Sequence, residues 1–160
     1  MNTQAAQAIS ITLPYLPPAS YSANSRAHWS AKRGKRGANH DVLDDVRMLL
    51  AEQGWVCSSR YRGVRIRLQV GWHGLHAECR HGLALDQAKI TVRFGFPDKR
   101  HRDPGSCQER IKPCFDALVR CGLLADDSLE VIGWPEYSHH YSPKQPSTTI
   151  WIEEVLEGSA

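Results

Sequence analysis

The sequence predicts a single α+β domain over residues 1–160, in which a mixed β-sheet carries two main helices on one face. Three observations lead to this fold class: several short segments alternate apolar and polar residues, two longer segments repeat apolar residues at helical spacing, and no internal repeat is present. A chain of this length buries one core without disulfide bonds. We expect the element order β-α-β-β-α-β-β, a core from about residue 9 to residue 153, and flexible termini.

The chain is expected to begin with one strand and then an irregular segment. The strand is predicted by an apolar alternation that Pro14 ends. Residues 14–37 hold three prolines and two glycines, which disfavour both helix and strand, so this segment is expected to be irregular. The alternating residues of the strand are Ile9, Ile11 and Leu13.

The first helix is predicted from apolar residues that recur every three or four positions. Asn39 or Asp41 would supply the N-cap, because short polar side chains accept hydrogen bonds from the first free backbone N–H groups of a helix. Gly54 would end the helix, since glycine adopts the conformation that follows a helical C-terminus. The recurring apolar residues are Val42, Val46, Leu49 and Leu50.

The clearest strand patterns cover residues 64–72 and 88–96, where apolar and polar residues alternate. We expect these two strands to pair antiparallel and to bury their apolar faces. Two shorter strands are predicted near residues 129–134 and 147–153, joined by the connection 135–146. The polar face of the first pair would carry Arg65, Arg67, Lys89 and Arg93.

The second helix is predicted from Cys107 to Cys121. Ser106 followed three residues later by Glu109 is typical of a capping box, and Gly122 is typical of a helix end. Three cysteines spaced seven residues apart fall on the apolar stripe of this helix, where they would act as small hydrophobic residues. The stripe consists of Cys107, Ile111, Cys114, Phe115 and Leu118.

Composition limits the cellular setting. No apolar run approaches the roughly 20 residues that cross a bilayer, so no membrane partner is expected. Residues 1–10 lack the basic start and apolar stretch of a secretory signal. Five cysteines cannot all pair within one chain. Together these features indicate a reducing, cytoplasmic setting.

The net charge of +3 is unevenly distributed. Residues 1–125 carry 19 Lys and Arg against 10 Asp and Glu, whereas residues 126–160 carry one Lys against seven acids. Clustered cations suit a polyanion such as DNA, although solvated loops would show the same pattern. The candidate DNA-binding residues form an N-terminal basic cluster (Arg26, Lys32, Arg33, Lys35 and Arg36) and a central basic cluster (Lys99, Arg100 and Arg102).

Four residues within nine positions, His73, His76, Cys79 and His81, are side chains that bind Zn²⁺. Their spacing matches no strong zinc signature. A polar exposed loop is therefore the preferred interpretation, and zinc is not expected as a cofactor.

Acidic residues stand at both ends of the second predicted helix. Asp103 precedes it, and Asp126 and Asp127 follow it. The ends of such a helix lie about 20 Å apart, so Asp103 and Asp127 can meet only if the connecting loops fold back. Spacing alone leaves open whether these carboxylates form one site.

The chain carries the motifs Arg102-Asp103-Pro104, Lys112-Pro113 and Asp126-Asp127-Ser128, preceded by Asn24, Arg26 and His28-Trp29. Over about residues 9–153 its motifs resemble those of the RusA-type Holliday junction resolvases, in particular their phage and prophage branch. The family pattern places Arg-Asp-Pro before a helix, Lys-Pro within it, Asp-Ala-Leu one turn later, and Gly and Asp-Asp-Ser after it. The opening motif of the family is a Pro-rich turn followed by Asn-x-Arg-x-His-Trp. The matching residues here are Arg102-Asp103-Pro104, Lys112-Pro113, Asp116-Ala117-Leu118, Gly122, Asp126-Asp127-Ser128, Pro17-Pro18, Asn24, Arg26 and His28-Trp29.

The resemblance implies a small homodimer that cleaves four-way DNA junctions in recombination and repair. It implies Mg²⁺ as the cofactor, with Mn²⁺ as a substitute, held by Asp103 and Asp127 with Asp126 beside them. Asp103, Asp127 and Lys112 would be the catalytic residues, with Lys112 stabilising charge on the scissile phosphate.

The sequence departs from the family at one position of the implied metal site. Where the family has a second Asp followed by Asn, this chain has Gly105 and Ser106. Mg²⁺ binds through one or two carboxylates plus substrate phosphate, so two acids can suffice, and Glu109 is a candidate replacement ligand. The alternative is a junction-binding protein of the same fold whose cleavage is weakened or lost.

Overall fold

The computed structural model describes residues 8–18, 35–53, 56–57, 66–68, 79–81 and 84–156, and only the backbone at 35–41 and within the segments 56–57, 66–68 and 79–81. The described elements confirm the α+β class. In chain order they are β1 (Ala8–Leu13), α1 (Lys35–Glu52), β2 (Val56–Cys57), β3 (Ile66–Leu68), β4 (Cys79–His81), β5 (Ala88–Phe96), α2 (Pro104–Arg120), α3 (Leu129–Ile132), β6 (Glu136–Tyr141) and β7 (Ser147–Glu154).

A four-stranded mixed sheet forms the centre of the fold, in the order β1-β7-β5-β6. β7 pairs antiparallel with β1 on one edge and with β5 on the other, whereas β6 pairs parallel with β5. β2, β3 and β4 form a separate antiparallel sheet of three strands.

The main sheet buries one face in a core that it shares with α1 and α2, as predicted for the two main helices. Alternate residues of β1, β5 and β7 point into this core, because side chains of a strand alternate between the two faces. Lys89 and Arg93 are exposed on the opposite face of β5, as predicted. The core includes Ile11, Leu13, Val46, Leu50, Ile90, Val92, Ile111, Leu118, Ile150 and Ile152.

The predicted pairing of residues 64–72 with residues 88–96 is wrong. Residues 66–68 pair with β2 and β4, and both edges of β5 are occupied by β7 and β6. A strand has only two edges, so β5 cannot also pair with β3. The rest of the 64–72 prediction, with Arg65, lies outside the described residues, as do residues 1–7 and 157–160 at the termini.

The segment after α2 also differs from the sequence prediction. Residues 129–134 hold the short helix α3 in place of a strand, because Ser128 begins a helical turn and Gly133, at φ 57°, ends it. The predicted connection 135–146 contains β6. Because histidine and tyrosine occupy its alternating positions, β6 lacks the apolar alternation from which strands are predicted.

Both long helices begin earlier than predicted. α1 begins at Lys35, so residues 35–37 are helical and Asn39 and Asp41 lie inside the helix, where neither is its N-cap. Lys and Arg are good helix formers, which favours this earlier start. α1 ends at Glu52, and Gly54, the residue predicted to end it, lies outside the described residues. In the described part of the chain, none of the helices has the length and apolar character that a membrane span needs.

The predicted cysteine stripe of α2 is confirmed. Cys114 and Cys121 are buried and Cys107 is half-buried, and none of the three is in a disulfide. Burial raises the pKa of Cys114 to about 12, because an apolar environment disfavours the thiolate. Cys114 therefore acts as a small core residue with an inert thiol.

Thr148 is a fully buried polar residue of the sheet, and its hydroxyl donates to the Tyr15 carbonyl at 3.0 Å. Replacing Thr148 by Val removes the donor and is expected to lower the free energy of unfolding by about 1–3 kcal/mol. Thr148→Ser keeps the donor and loses one methyl group, at about 0.8 kcal/mol. Urea unfolding of both variants measures the difference, and a Ser variant less stable than the Val variant would contradict this role of the hydroxyl.

Candidate functional site

Asp103 is the N-cap of α2. Its backbone is extended, at φ −79° and ψ 127°, and its Oδ2 accepts a hydrogen bond from the Ser106 N–H at 2.9 Å. The predicted capping box of Ser106 and Glu109 is therefore wrong, because the helix begins at Pro104 and Glu109 lies in its second turn. The Asp103 side chain is exposed, and its carboxylate lies at the helix N-terminus, where negative charge is favoured.

Lys112 lies between two carboxylates. Its Nζ donates to Asp116 Oδ1 at 3.0 Å, one turn along α2, and it also contacts Asp127 Oδ2 directly. Asp127 reaches Lys112 because the chain reverses at Gly122, which has a φ of 77° that only glycine adopts readily. The structure thus brings together Lys112 and Asp127, two of the three predicted catalytic residues.

The contact between Lys112 and Asp127 stabilises the charged form of both groups. The hydrogen bond from Lys112 lowers the pKa of the Asp127 carboxyl, and the same bond is the main cause that raises the pKa of Lys112. Both groups are therefore charged near neutral pH. The Lys112 side chain is 58% exposed, so an approaching phosphate can reach its ammonium group.

Asp103 is separated from this cluster along the helix. Lys112 follows Asp103 by nine positions, which corresponds to about 13 Å along the axis of α2. Among the residues that the structure describes, no group of three or more His, Cys, Asp or Glu side chains could hold a metal ion. Asp126 is exposed beside Asp127, and Glu109 is half-buried on α2. A metal site shared by these acids remains a prediction.

Gly105 occupies the position at which the RusA-type pattern has its second Asp. A Cβ placed on Gly105 would lie 3.0 Å from Asp103 Oδ2. A side chain at position 105 would therefore project beside the Asp103 carboxylate, and an acid there would form a pair of carboxylates at the start of α2. Glycine leaves that space open.

Arg110, which belongs to none of the predicted motifs, connects the proline-rich opening motif to α2. Arg110 Nε donates to the Pro17 carbonyl at 2.7 Å, so the proline-rich segment after β1 lies against α2. Burial lowers the pKa of Arg110. No local pattern in the sequence signals this contact, which joins residues 93 positions apart.

A second feature that sequence reasoning missed is a cleft of about 730 Å³ beside β6. The end of β5, residues 98–102, the first turn of α2 and β6 line it. Rings from neighbouring strands face one another across the β5–β6 pair: Phe94 with Tyr137 at 6.4 Å between centroids, and Phe96 with His139 at 6.2 Å. The alternation of Tyr137, His139 and Tyr141 was the signal in the sequence for this strand.

The central basic cluster lines this cleft. Arg102 is held by Asp98 at 2.7 Å and lies over the Phe96 ring at 3.9 Å. Lys99 lies over the Tyr141 ring at 5.0 Å. Hydrogen bonds from the Arg100 backbone and the Arg102 side chain lower the pKa of Asp98, so it remains a carboxylate. Lys99 and Arg100 are exposed, whereas Arg102 is half-buried.

Other predicted residues lie outside this description. Arg26, Lys32 and Arg33 lie outside the described residues, and Lys35 and Arg36 are described only as backbone of α1. His73 and His76 lie outside the described residues, and Cys79 and His81 are described only as backbone of β4.

Comparison of the chain with models of known protein families and with curated proteins found no match. The resemblance to RusA-type resolvases therefore depends on the residue pattern alone.

Asp103 offers a test of its capping role that is independent of any activity. Asp103→Ala removes the acceptor for the Ser106 N–H and is expected to lower the free energy of unfolding by about 1 kcal/mol. Asp103→Asn keeps an oxygen acceptor and should lose much less, because Asn and Asp are similar N-caps. Urea unfolding compares the two, and equal losses would show that the side chain does not cap α2.

The contact between Lys112 and Asp127 predicts a pH dependence of stability. The lowered pKa of Asp127 contributes stability above its ordinary value of about 3.9, which is lost as pH falls through the folded-state value. The raised pKa of Lys112 contributes below about 10.4, and that part is lost as pH rises through the raised value. Between these limits Asp127→Asn should cost less than about 1 kcal/mol, since Lys112 is largely exposed.

Thermal unfolding of the wild type and Asp127→Asn at acidic and neutral pH measures this dependence. The difference in Tm should be present at neutral pH and shrink as pH falls below the ordinary carboxyl value of about 3.9. A difference that stays constant over this range would show that the Asp127 charge does not stabilise the fold.

Proposed function

We propose that this chain is a Mg²⁺-dependent endonuclease of the RusA type that resolves four-way DNA junctions as a cytoplasmic homodimer. The observation that carries the proposal is the contact between Lys112 and Asp127, which lie fifteen residues apart in the chain. The resemblance assigns a role to both positions, and helical periodicity does not require them to touch. The hydrogen bond from Arg110 to Pro17 adds support, because it joins segments that carry separate family motifs.

The donor chemistry of the site fits Mg²⁺. Asp103 and Asp127 offer carboxylate oxygens, the hard ligands that this cation prefers, and the exposed Asp126 is a third donor nearby. Asp103 uses only Oδ2 to cap α2, so within the described residues its Oδ1 has no hydrogen-bond partner. Asp103 and Asp127 lie apart along α2, so they would have to approach each other around the cation, and a DNA phosphate and water ligands would complete the coordination.

Bound Mg²⁺ would supply Lewis acidity at the scissile phosphate and a more acidic water. The residues of the chain would orient the DNA and balance its charge. Lys112 would stabilise negative charge that develops on the phosphate oxygens, because its ammonium group is exposed and charged. Asp116, one turn further along α2, would keep that ammonium group in position when Asp127 turns to the cation.

Phosphate contacts from the N-terminal and central basic clusters would supply most of the affinity for the junction. A homodimer suits the substrate, since a four-way junction can adopt two-fold symmetry and a symmetric pair of subunits presents two equivalent sites.

A second candidate function is junction binding with weakened or absent cleavage. Gly105 favours it, because this position adds no carboxylate beside Asp103. The direct contact of Lys112 with Asp127 also favours it, since the cation would compete with the ammonium group for that carboxylate. The two functions share a DNA partner and differ in whether the phosphodiester is cut.

Charge-removing substitutions distinguish the two functions. Asp103→Asn and Asp127→Asn should each lower the rate of Mg²⁺-dependent junction cleavage by roughly 100-fold or more, since loss of even a supporting residue of a metal site costs 10- to 100-fold. Junction affinity should stay equal or increase, because each change removes negative charge near phosphate. Single-turnover cleavage and a gel-shift titration measure the two quantities. Full activity in either variant would exclude that residue from the site.

Adding a carboxylate at position 105 tests the same metal site by the opposite change. Gly105→Asp should lower the Mg²⁺ concentration needed for cleavage, because it adds a carboxylate beside Asp103. Gly105→Asn is the matched control, since it brings the same Cβ within 3.0 Å of Asp103 Oδ2 without the charge. Equal Mg²⁺ dependence of the two variants would show that position 105 does not face the metal. If the wild type and Gly105→Asp both bind junctions and neither cuts, the second function is correct.

A further inference from the structure

The cleft beside β6 has a composition that the proposed cleavage chemistry does not use. Its walls include aromatic rings from two adjacent strands, and its described lining holds three cationic side chains against one carboxylate. That carboxylate, Asp98, pairs with Arg102 at 2.7 Å and more loosely with Arg100 at 3.6 Å, so three cations face one negative charge. The cleft therefore presents apolar ring surface together with uncompensated positive charge.

The rings differ in how open they are. Phe94 and Phe96 are buried and stack on each other at 5.7 Å, so they form the base of the cleft. Tyr137 is half-buried, whereas His139 and Tyr141 are exposed further along β6. Because these three residues alternate on one strand, they lie on the same side of it. Tyr141 has 53% of its surface exposed and is therefore open to a planar ligand.

The cations are arranged around these rings. Arg102 is fixed between Asp98 and the Phe96 ring, which leaves it little freedom to contact a ligand. Lys99 stands over Tyr141, and the Arg100 side chain is 84% exposed and only loosely paired with Asp98, at 3.6 Å. An anionic group bound by Lys99 and Arg100 would therefore lie next to the exposed tyrosine ring.

The volume of the cleft and the side chains that line it indicate which class of ligand fits. A volume of about 730 Å³ lies in the range of small-molecule sites. In a duplex the base faces are stacked and cannot reach a tyrosine ring, whereas an unpaired nucleotide offers both a flat base and a phosphate. Aromatic side chains beside cationic groups are the recurrent arrangement for single-stranded nucleic acid.

We propose that this cleft binds one unpaired nucleotide of DNA, with its base stacked on Tyr141 and its phosphate held by Lys99 and Arg100. The inference rests on the proposed function in taking DNA as the partner, and it deepens that function. It assigns to β6 the recognition of a base that has left its pair at a branch point. The contact with DNA would then combine duplex arms on the N-terminal basic cluster with one unstacked nucleotide in the cleft.

Binding of a fluorescein-labelled oligodeoxythymidylate of about ten nucleotides to the full chain, followed by anisotropy, tests the inference. Tyr141→Ala should weaken this binding by about 5- to 100-fold and change the affinity for a blunt duplex by less than about twofold. Tyr141→Phe keeps the ring and should bind like the wild type. Trp134→Ala is the matched control, because Trp134 is an 84% exposed aromatic residue outside the cleft lining.

The phosphate contacts have a separate readout. The double variant Lys99→Gln with Arg100→Gln should reduce the slope of log affinity against log salt for the single strand by about 1.4 units. An oligonucleotide of abasic sites keeps the phosphates, so it should bind the wild type as weakly as the thymidine oligonucleotide binds Tyr141→Ala. Circular dichroism and Tm confirm that each variant is folded.

Three results would overturn the inference: an unchanged single-strand affinity in Tyr141→Ala, an equal loss for duplex and single strand, or an equal loss in Trp134→Ala. The proposed function fails separately. A chain that binds single strands through Tyr141 without cutting or binding junctions would retain the cleft assignment and lose the junction assignment. A chain that cuts junctions with Tyr141→Ala unchanged in single-strand binding would do the reverse.

Discussion

The double pairing of β5 is the constraint on which both candidate sites depend. Antiparallel β7 occupies one edge of this strand and parallel β6 the other, so the strand is held along its whole length. The chain leaves β5 at Phe96 and turns through residues 97–103 into α2. The central basic cluster and the Asp103 cap lie on this short connection. Because β6 runs parallel to β5, its exposed end, Tyr141, lies beside that same connection.

α2 then links the two candidate sites. Asp103 caps its N-terminus beside the cleft, and Lys112 lies two turns further along. The reversal at Gly122 returns the chain so that Asp127 contacts Lys112. Asp103 can serve as both a cap and a ligand, since capping engages one oxygen of its carboxylate. Stability and proposed chemistry therefore use the same side chain, and only Asp103→Asn separates them.

Local patterns predict much of this fold. The β1 and β5 alternations, the β7 strand, the buried cysteine stripe of α2 and its end near Gly122 follow from spacing that neighbouring residues determine. Strand partners do not follow from spacing, and the choice of β6 in place of residues 64–72 as the neighbour of β5 depends on contacts distant in sequence. The strand β6 was missed because tyrosine and histidine occupy the positions where an apolar residue marks a strand.

In the candidate site, too, local spacing predicts some contacts, whereas others depend on residues distant in sequence. The i,i+4 pairing of Lys112 with Asp116 could be read from helical spacing, whereas the contact with Asp127 requires a tertiary turn. The role of Asp103 as an N-cap was missed because Ser106 and Glu109 offered a capping pattern three residues later. The missing carboxylate at Gly105 can be predicted from the resemblance, whereas the closeness of this position to Asp103 Oδ2 emerges only from the structure.

The most direct test of the account is incubation of the purified wild-type chain with a synthetic four-way junction, in Mg²⁺ and in EDTA, with products resolved on a denaturing gel. The account predicts paired nicks in two opposing strands that require Mg²⁺, because a symmetric dimer presents two equivalent sites. A junction that is bound and remains intact at every Mg²⁺ concentration would contradict it.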